Sequence, residues 1–176
     1  MQPELYSLLS QGSLQSFSPG DAIDAVALDK AVLVDVRLGS DFEKVHAEGA
    51  IGVPLFQPIS GFSPKSVLKS ILYASQGIQG VEENPDFVSE VARIASDKAG
   101  KTVIFMCDSG GTAQAVPGFL YGKQSRSLQA AFKAAKEGGL DNLGHLEGGL
   151  LGYGAQSLPL EGSDTEAWKE KAGRTI

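Results

Sequence analysis

Two short apolar runs set the limits on what this chain folds into. Ala31-Val-Leu-Val-Asp-Val36 is continuous, rich in β-branched residues and too short for a helix of its own, so it reads as a central parallel strand. Lys101-Thr-Val-Ile-Phe-Met106 has the same character. The segments around them carry helical spacing instead. Ser18-Pro19-Gly20-Asp21 puts Ser at an N-cap, Pro at the first helical position and an acid at N3, opening a short helix to about Leu28 whose inner face is Ile23, Val26 and Ala27. Asn84-Pro85 starts a second, with Phe87, Val88, Val91, Ile94 and Ala95 as its buried stripe and Gly100 at its end. A third runs from about Arg126 to Lys136, turning Leu128, Ala131, Phe132 and Ala135 inward before Gly138-Gly139 stops it. Connections too long for hairpins join these pieces. The alternation predicts an α/β fold, a mostly parallel sheet of about five strands with helices on both faces.

The remaining segments are shorter. Ser40-Asp-Phe-Glu43 repeats the capping-box pattern and predicts one helical turn or two, Ala50 to Val53 a short strand, Asn142 to Leu146 a further strand, and Leu150 to Gln156 a last helical piece. Residues 1–17 have no settled period and read as an extended lead-in to a domain spanning 18–160. Within it, 56–83 reads as an insertion with a small helix at Ser66 to Tyr73 and a turn at Gln76 to Gly80. The tail, 161–176, is polar apart from Trp168, read as an anchor to the body.

A length of 176 residues suits one domain. With 15 basic and 21 acidic residues the net charge is -6, which speaks against nucleic acid, whose binding draws on phosphate neutralisation. No apolar run reaches the roughly 18 residues of a membrane span. The stretch before Lys30 holds no Lys or Arg, so it resembles neither a secretory signal nor an Arg-rich transit peptide. The protein is then expected to act where it is made, in the cytoplasm, or the sequence starts after a removed targeting segment.

Cys107 is the single cysteine, which excludes an internal disulfide, a paired-cysteine metal site and a resolving thiol. It stands at the C-terminal end of a predicted strand, where open α/β sheets place ligands. Asp108-Ser109-Gly110-Gly111-Thr112 follows, small and Gly-rich, so main-chain amides can turn inward and, with a helix N-terminus, stabilise a thiolate or a persulfide. A lone cysteine is more often a small buried hydrophobe; the position before two glycines favours function here. Asp35 and Arg37, at the end of the first strand, read as a structural ion pair at the sheet edge. His46 lacks a second His or an acid cluster at ligand spacing and reads as a hydrogen-bonded structural residue; no metal is expected. His145 lies inside a strand and reads as a packing or backbone-bonding residue. Glu147-Gly148-Gly149 reads as a tight corner that approaches another loop closely.

Val34-Asp-Val-Arg37, Asp41-Phe-Glu-Lys-Val-His46, Gly49-Ala-Ile51 and Val53-Pro54 together resemble the first signature of the rhodanese-like domain, and Leu146-Glu-Gly-Gly149 resembles its late one. Cys107 falls where that family's active cysteine stands. The resemblance covers about residues 18–160 and departs from the family in the active loop. The family usually closes it as Cys-x-x-Gly-x-Arg followed by Ser, whereas Thr112 occupies the Arg position here and Arg126-Ser127 comes later, which implies an insertion from about Ala113 to Lys123. That long loop and Glu82-Glu-Asn-Pro85 are similar to single-domain rhodaneses of plant and algal chloroplasts, the only ground for expecting a chloroplast stroma or thylakoid location.

The resemblance implies a sulfurtransferase of the thiosulfate type, or a persulfide carrier. Cys107 would be the nucleophile, thiosulfate or another sulfane-sulfur donor the source, and cyanide, a small thiol or a protein thiol the acceptor; no cofactor is required. Asp108, Ser109, Gly110, Gly111, Thr112, Arg126 and Ser127 would hold the anionic sulfur, with Asp35, Arg37, His46, Glu147 and Gly148 behind them. Asp108 is expected to repel an anionic donor, which favours persulfide carriage over efficient thiosulfate turnover. The apolar side chains Val116, Phe119, Leu120 and Tyr121 offer a lid, a protein-docking surface or an ordinary loop packing its own aromatics. Two other functions compete: a non-catalytic binding module of the same fold, and phosphatase chemistry, which Thr112 and Ala113 disfavour because phosphate needs a guanidinium clamp.

Overall fold

The computed structural model describes residues 7, 14–59, 80–112, 114–120 and 122–173. In chain order the strands are β1 Leu14–Phe17, β2 Ala31–Asp35, β3 His46–Ala47, β4 Ile51–Gly52, β5 Phe56–Pro58, β6 Val81–Glu83, β7 Thr102–Met106, β8 Leu143–Leu146 and β9 Leu160–Glu161. The helices are α1 Pro19–Ala27, α2 Gly39–Lys44, α3 Phe87–Asp97, α4 Arg126–Gly138, α5 Gly149–Ala155 and α6 Thr165–Gly173. Five strands make one sheet in the order β1-β8-β7-β2-β4, every neighbouring pair parallel. The fold class expected from the two apolar runs is the one observed: β2 and β7 are adjacent at the centre, in register from Ala31 opposite Thr102 to Asp35 opposite Met106.

Alternation along those strands sorts the core into two layers. Val32, Val34, Val103 and Phe105 face α3 and α4, meeting Phe87, Val91, Ile94, Ala130 and Ala134. Ala31, Leu33, Ile104 and Met106 face the other way, onto Ala22 of α1 and Leu150 and Tyr153 of α5. The same alternation carries on past the end of β7. Cys107 belongs with the first layer, and Asp108 emerges on the side of α5 and α6.

Several local expectations are corrected. Part of the lead-in is structural, since Leu14–Phe17 is the edge strand β1, paired with β8. Ser40 caps nothing: α2 begins at Gly39, two residues earlier than a Ser40 cap would place it, with Leu38 at the N-cap position and no side-chain cap. α3 starts at Phe87, not Pro85; Asn84 instead closes the preceding turn, its Oδ1 accepting from the Asp86 amide at 3.0 Å and its Nδ2 donating to Pro54 O at 2.9 Å. Ser18 does cap α1, accepting from the Asp21 amide at 3.2 Å. The ends of the 56–83 segment pair with each other as β5 and β6, antiparallel. Its expected helix at Ser66 to Tyr73, and the turn at Gln76 to Gly80 except for Gly80, lie outside the described residues. The tail is more than an anchored strand of polar residues, for Thr165–Gly173 forms α6, seated by half-buried Trp168 and buried Ala172.

Candidate active site

Glycine backbones bring the loop after β7 and the corner after β8 into contact. Gly110 has φ of +60°, and a Cβ there would lie 2.6 Å from Leu146 O; a Cβ on Gly149, at φ +56°, would lie 2.3 Å from Cys107 O. No other residue fits either place. Because Gly149 opens α5, the first amides of that helix meet the loop directly: Leu150 N donates to Cys107 O at 2.8 Å and Leu151 N to Asp108 O at 2.9 Å. Two of the orphan donors of the α5 N-terminus thus fasten the residues around the thiol. The close approach expected of Glu147-Gly148-Gly149 is this contact.

Downstream, the chain leaves the loop and returns. Thr112 and Lys123 exchange backbone hydrogen bonds of 3.0 and 2.9 Å, pinching off the residues between them, and Val116 and Phe119 exchange a second pair inside that excursion. Its tip stands in water, with Phe119 50% and Leu120 80% exposed. Past the pinch, Ser125 caps α4 by accepting from Leu128 N at 3.2 Å. This first turn delivers Ser127, whose buried Oγ accepts from the Cys107 thiol at 3.5 Å and lies 3.0 Å from Ser125 Oγ. Cys107 itself is 3% exposed. Among the described residues the amides of Ser109, Gly110 and Gly111 donate no hydrogen bond, and those of Arg126 and Ser127 lie in the first turn of α4, where helical partners are lacking.

The charges form one chain of contacts. Asp35 and Arg37 are 0% and 1% exposed, with Arg37 Nε and Nη2 donating to the Asp35 carboxylate at 3.0 and 2.7 Å and Nη2 also reaching Val45 O. Burial works against the Arg37 charge, but Asp35, and beyond it Asp108, more than offset this and raise its pKa above the ordinary arginine value. Arg37 Nη1 also approaches Asp108 Oδ1 at 3.4 Å, while Arg126 pairs with Asp108 Oδ2 from the other side. Asp108 is therefore matched by two guanidinium groups. The repulsion expected from it is cancelled, and in exchange Arg126 is occupied.

Of the other expected residues, His46 is held by contacts outside the thiol loop. Its ring stacks on Phe42 with centroids 3.9 Å apart, Nδ1 lies 2.8 Å from Phe42 O and Nε2 3.3 Å from Glu161. His145 packs as expected but bonds a side chain, Ser16 Oγ at 2.9 Å from Nε2, and no backbone group. Glu147 donates its amide to Phe17 O at 2.9 Å and so ties β1 to the corner. Thr112 closes the excursion through its backbone, and its hydroxyl donates to Gln114 O at 3.4 Å. Two roles went unnoticed in the sequence, the cap at Ser125 and the place over Arg37 of Trp168, which reads there only as an anchor of the tail. Ser125 was legible, being a Ser three residues ahead of the first inward leucine, Leu128; Trp168 over Arg37, with the ring centroid 5.6 Å from Cζ, was not. No group of His, Cys, Asp and Glu among the described residues could hold a metal ion.

A parallel α/β sheet with a cysteine at a central strand end, held against a Glu-Gly-Gly corner, defines a cysteine-loop protein of the kind the sequence resembles. Residues 18–156 match the rhodanese-like domain, and the chain belongs to that family. It is 36% identical over 131 residues to rhodanese-like domain-containing protein 14, chloroplastic, of Arabidopsis thaliana, a match covering 74% of this chain and 57% of that protein. The chain thus spans little more than half the length of that relative. Among solved structures it is similar to Saccharomyces cerevisiae Ygr203w, described as a homolog of single-domain rhodanese and the Cdc25 phosphatase catalytic domain, with a TM-score of 0.54 and 16% identity over 93% of this chain and 95% of that one. It is also similar to the thiosulfate sulfurtransferase of Pseudomonas aeruginosa, with a TM-score of 0.53 and 14% identity over 97% of this chain and 26% of that one. At such identities the likeness is one of fold. The matched region ends before α6.

Proposed function

We propose that this chain moves sulfane sulfur through a persulfide on Cys107. The thiolate attacks the outer sulfur of a donor such as thiosulfate, the donor's S–S bond breaks, and sulfite leaves with the electron pair. An acceptor thiolate or cyanide then attacks the outer sulfur of Cys107–S–S⁻ and the Cys107 thiolate departs. No oxidant or reductant enters either step. The observation that carries this reading is the return of the chain after Lys123, which sets Ser127 on the thiol and Arg126 on Asp108 despite the excursion. The available amides of Ser109, Gly110 and Gly111 and the start of α4 supply dipoles for an anionic sulfur. In this account Asp108, Ser109, Gly110, Gly111, Arg126 and Ser127 form the sulfur-binding loop, and Asp35, Arg37, Glu147 and Gly148 support it.

The arginines bear on substrate choice. Arg37 and Arg126 face Asp35 and Asp108, two charges against two, so neither of these guanidinium groups is left over to draw in a dianion. Persulfide carriage is therefore favoured over rapid thiosulfate turnover, and phosphate, which wants a dedicated guanidinium clamp, is disfavoured. The exposed Val116, Phe119 and Leu120, on an excursion rooted beside the loop, suit contact with a protein bearing the acceptor thiol. The chloroplast is the proposed compartment, on the likeness to the chloroplastic relative; no helix among the described residues is long and apolar enough to cross a membrane. A second reading, a binding module in which Cys107 is inert, is favoured by the 3% exposure of that residue.

Intact-mass measurement after incubation with thiosulfate or a small persulfide donor separates the two. The wild-type chain is expected to gain one sulfur atom, lost on reduction and absent from Cys107→Ser. A wild-type chain that stays unmodified where a known carrier loads fully would leave the binding module.

A further inference from the structure

The helix α6 follows the family-matched segment and is built firmly into the fold. Asp164 N donates to Lys44 O at 2.8 Å, and Gly162, at φ +120°, passes so close to the same carbonyl that a Cβ would lie 2.3 Å from it. The helix contributes a single indole, the only one in the chain. Its seat is Gly154, where a Cβ would lie 3.3 Å from Trp168 Cδ1. From there Trp168 reaches the active loop by two routes. Its ring lies 5.6 Å from the Arg37 guanidinium carbon, and Arg37 Nη1 holds Asp108 at 3.4 Å. Its Nε1 donates to Leu150 O at 3.4 Å, and the amide of that same Leu150 donates to Cys107 O at 2.8 Å. Trp168 also forms, with Arg37, Asp108 and Lys171, part of the wall of a cleft of about 400 Å³.

We propose that Trp168 is a positioning residue for the Cys107–Thr112 loop, holding Arg37 through its ring and the Leu150 backbone through its indole N–H. Asp108 needs a guanidinium on each side to stay where its carbonyl meets Leu151 N. Arg126 comes from the first turn of α4, whereas Arg37, anchored by Nε and Nη2 on Asp35 and Val45 O, reaches Asp108 only by one long bond from Nη1, so that contact depends on what covers it. An aromatic face over a partly desolvated guanidinium supplies that cover. Without it water enters the cleft and weakens the Arg37–Asp108 contact, and the loop loses one of its two side supports.

The test has two arms. Trp168 fluorescence comes from one residue, so it reports on the coupling whether or not Cys107 carries sulfur. Asp108→Asn, which removes a charge two contacts away from the indole, is expected to shift the emission maximum and raise acrylamide quenching, while Lys133→Gln, at an ion pair on the exposed side of α4, leaves both unchanged. In the second arm the alkylation rate of Cys107 by iodoacetamide is compared among wild type, Trp168→Ala and Trp168→Phe. Trp168→Ala is expected to change that rate by about three- to tenfold, and Trp168→Phe, which keeps a ring over Arg37, to stay within about twofold of wild type. Both rates are taken below the unfolding transition of each variant, and should Trp168→Ala not fold, Trp168→Leu replaces it. Sulfur loading, measured beside alkylation, belongs to the proposed function alone, so a chain that alkylates in the expected order but never loads sulfur sinks that function and not the coupling. Emission and quenching untouched by Asp108→Asn, or equal alkylation rates in the ring-free variant and wild type, would overturn the role given to Trp168.

Discussion

Two aspartate–arginine pairs follow the C-terminal ends of the central strands β2 and β7, and they are built oppositely. Asp35–Arg37 is sealed, with both side chains essentially unexposed and further bonds from the Arg37 amide and to Val45 O. Asp108–Arg126 is open, each side chain 35% exposed, with the arginine drawn from a helix start that the chain reaches only after an excursion. The sealed pair fixes the C-terminal end of β2, beside β7 inside the sheet. The open pair fixes where the returning chain lies over Cys107. Burial makes an ion pair indispensable to folding without making it strongly stabilising, because its loss leaves an uncompensated charge; an exposed pair is cheap in stability and can be spared for function.

The comparison predicts an inversion between stability and sulfur loading. Arg37→Ala strands the Asp35 carboxylate in the core and is expected to cost about 3–5 kcal/mol in urea unfolding. A loss below that of Arg126→Ala would break the comparison. Next in size is a pH effect from the buried side of the sheet. Burial lowers the pKa of His145 to about 4. The unfolded chain, with an ordinary histidine near 6.5, binds the proton over that window and the folded chain does not. Stability should therefore rise with pH from about 4 to 6.5, level off above, and be lost by about 3 kcal/mol on acidification across the window. His145→Gln, which keeps a group able to bond Ser16, should remove this part of the slope in unfolding measured at a series of pH values; an unchanged slope would assign it elsewhere.

Smaller still is the stability cost of Arg126→Ala, about 1 kcal/mol or less after solvent screening, alongside a clear fall in the rate at which Cys107 gains sulfur by mass. Loading at the wild-type rate would show that the open pair does not organise the loop. The smallest effect is expected at the tip of the excursion. Phe119→Ser with Leu120→Ser should change stability by no more than about 0.5 kcal/mol and leave loading from thiosulfate intact, while slowing transfer to a protein acceptor such as reduced thioredoxin. Equal transfer to protein and small-thiol acceptors in this variant would argue against a docking role.

Legibility followed the same division between sealed and open. β2, β7 and α3 were readable because their apolar patterns state which face is buried. Leu14-Gln-Ser-Phe17 lacks the β-branched run that marks a strand and takes its form from the neighbour β8. α6 is polar along most of its length, and its order comes from one indole and one alanine packed on α5. Ser40 carried a cap pattern, but the chain turns into α2 two residues sooner, after Leu38, and the helix has no side-chain cap. In the site, Cys107 and the close corner at Gly148-Gly149 could be named from residue types alone. The return of Arg126 to the thiol loop could be suspected only from a family resemblance, since nothing local says where an excursion ends, and its pairing with Asp108, 18 positions away, was not foreseen; the Thr112–Lys123 bridge closes the excursion.

A crystal of the protein loaded with sulfur tests the central claim most directly. The outer sulfur on Cys107 is predicted to lie within hydrogen-bonding reach of at least two main-chain amides among Ser109, Gly110, Gly111 and Ser127, with Arg126 still on Asp108. An outer sulfur turned among Val36, Val53 and Leu55, or an unmodified thiol in crystals soaked with a persulfide donor, would contradict it.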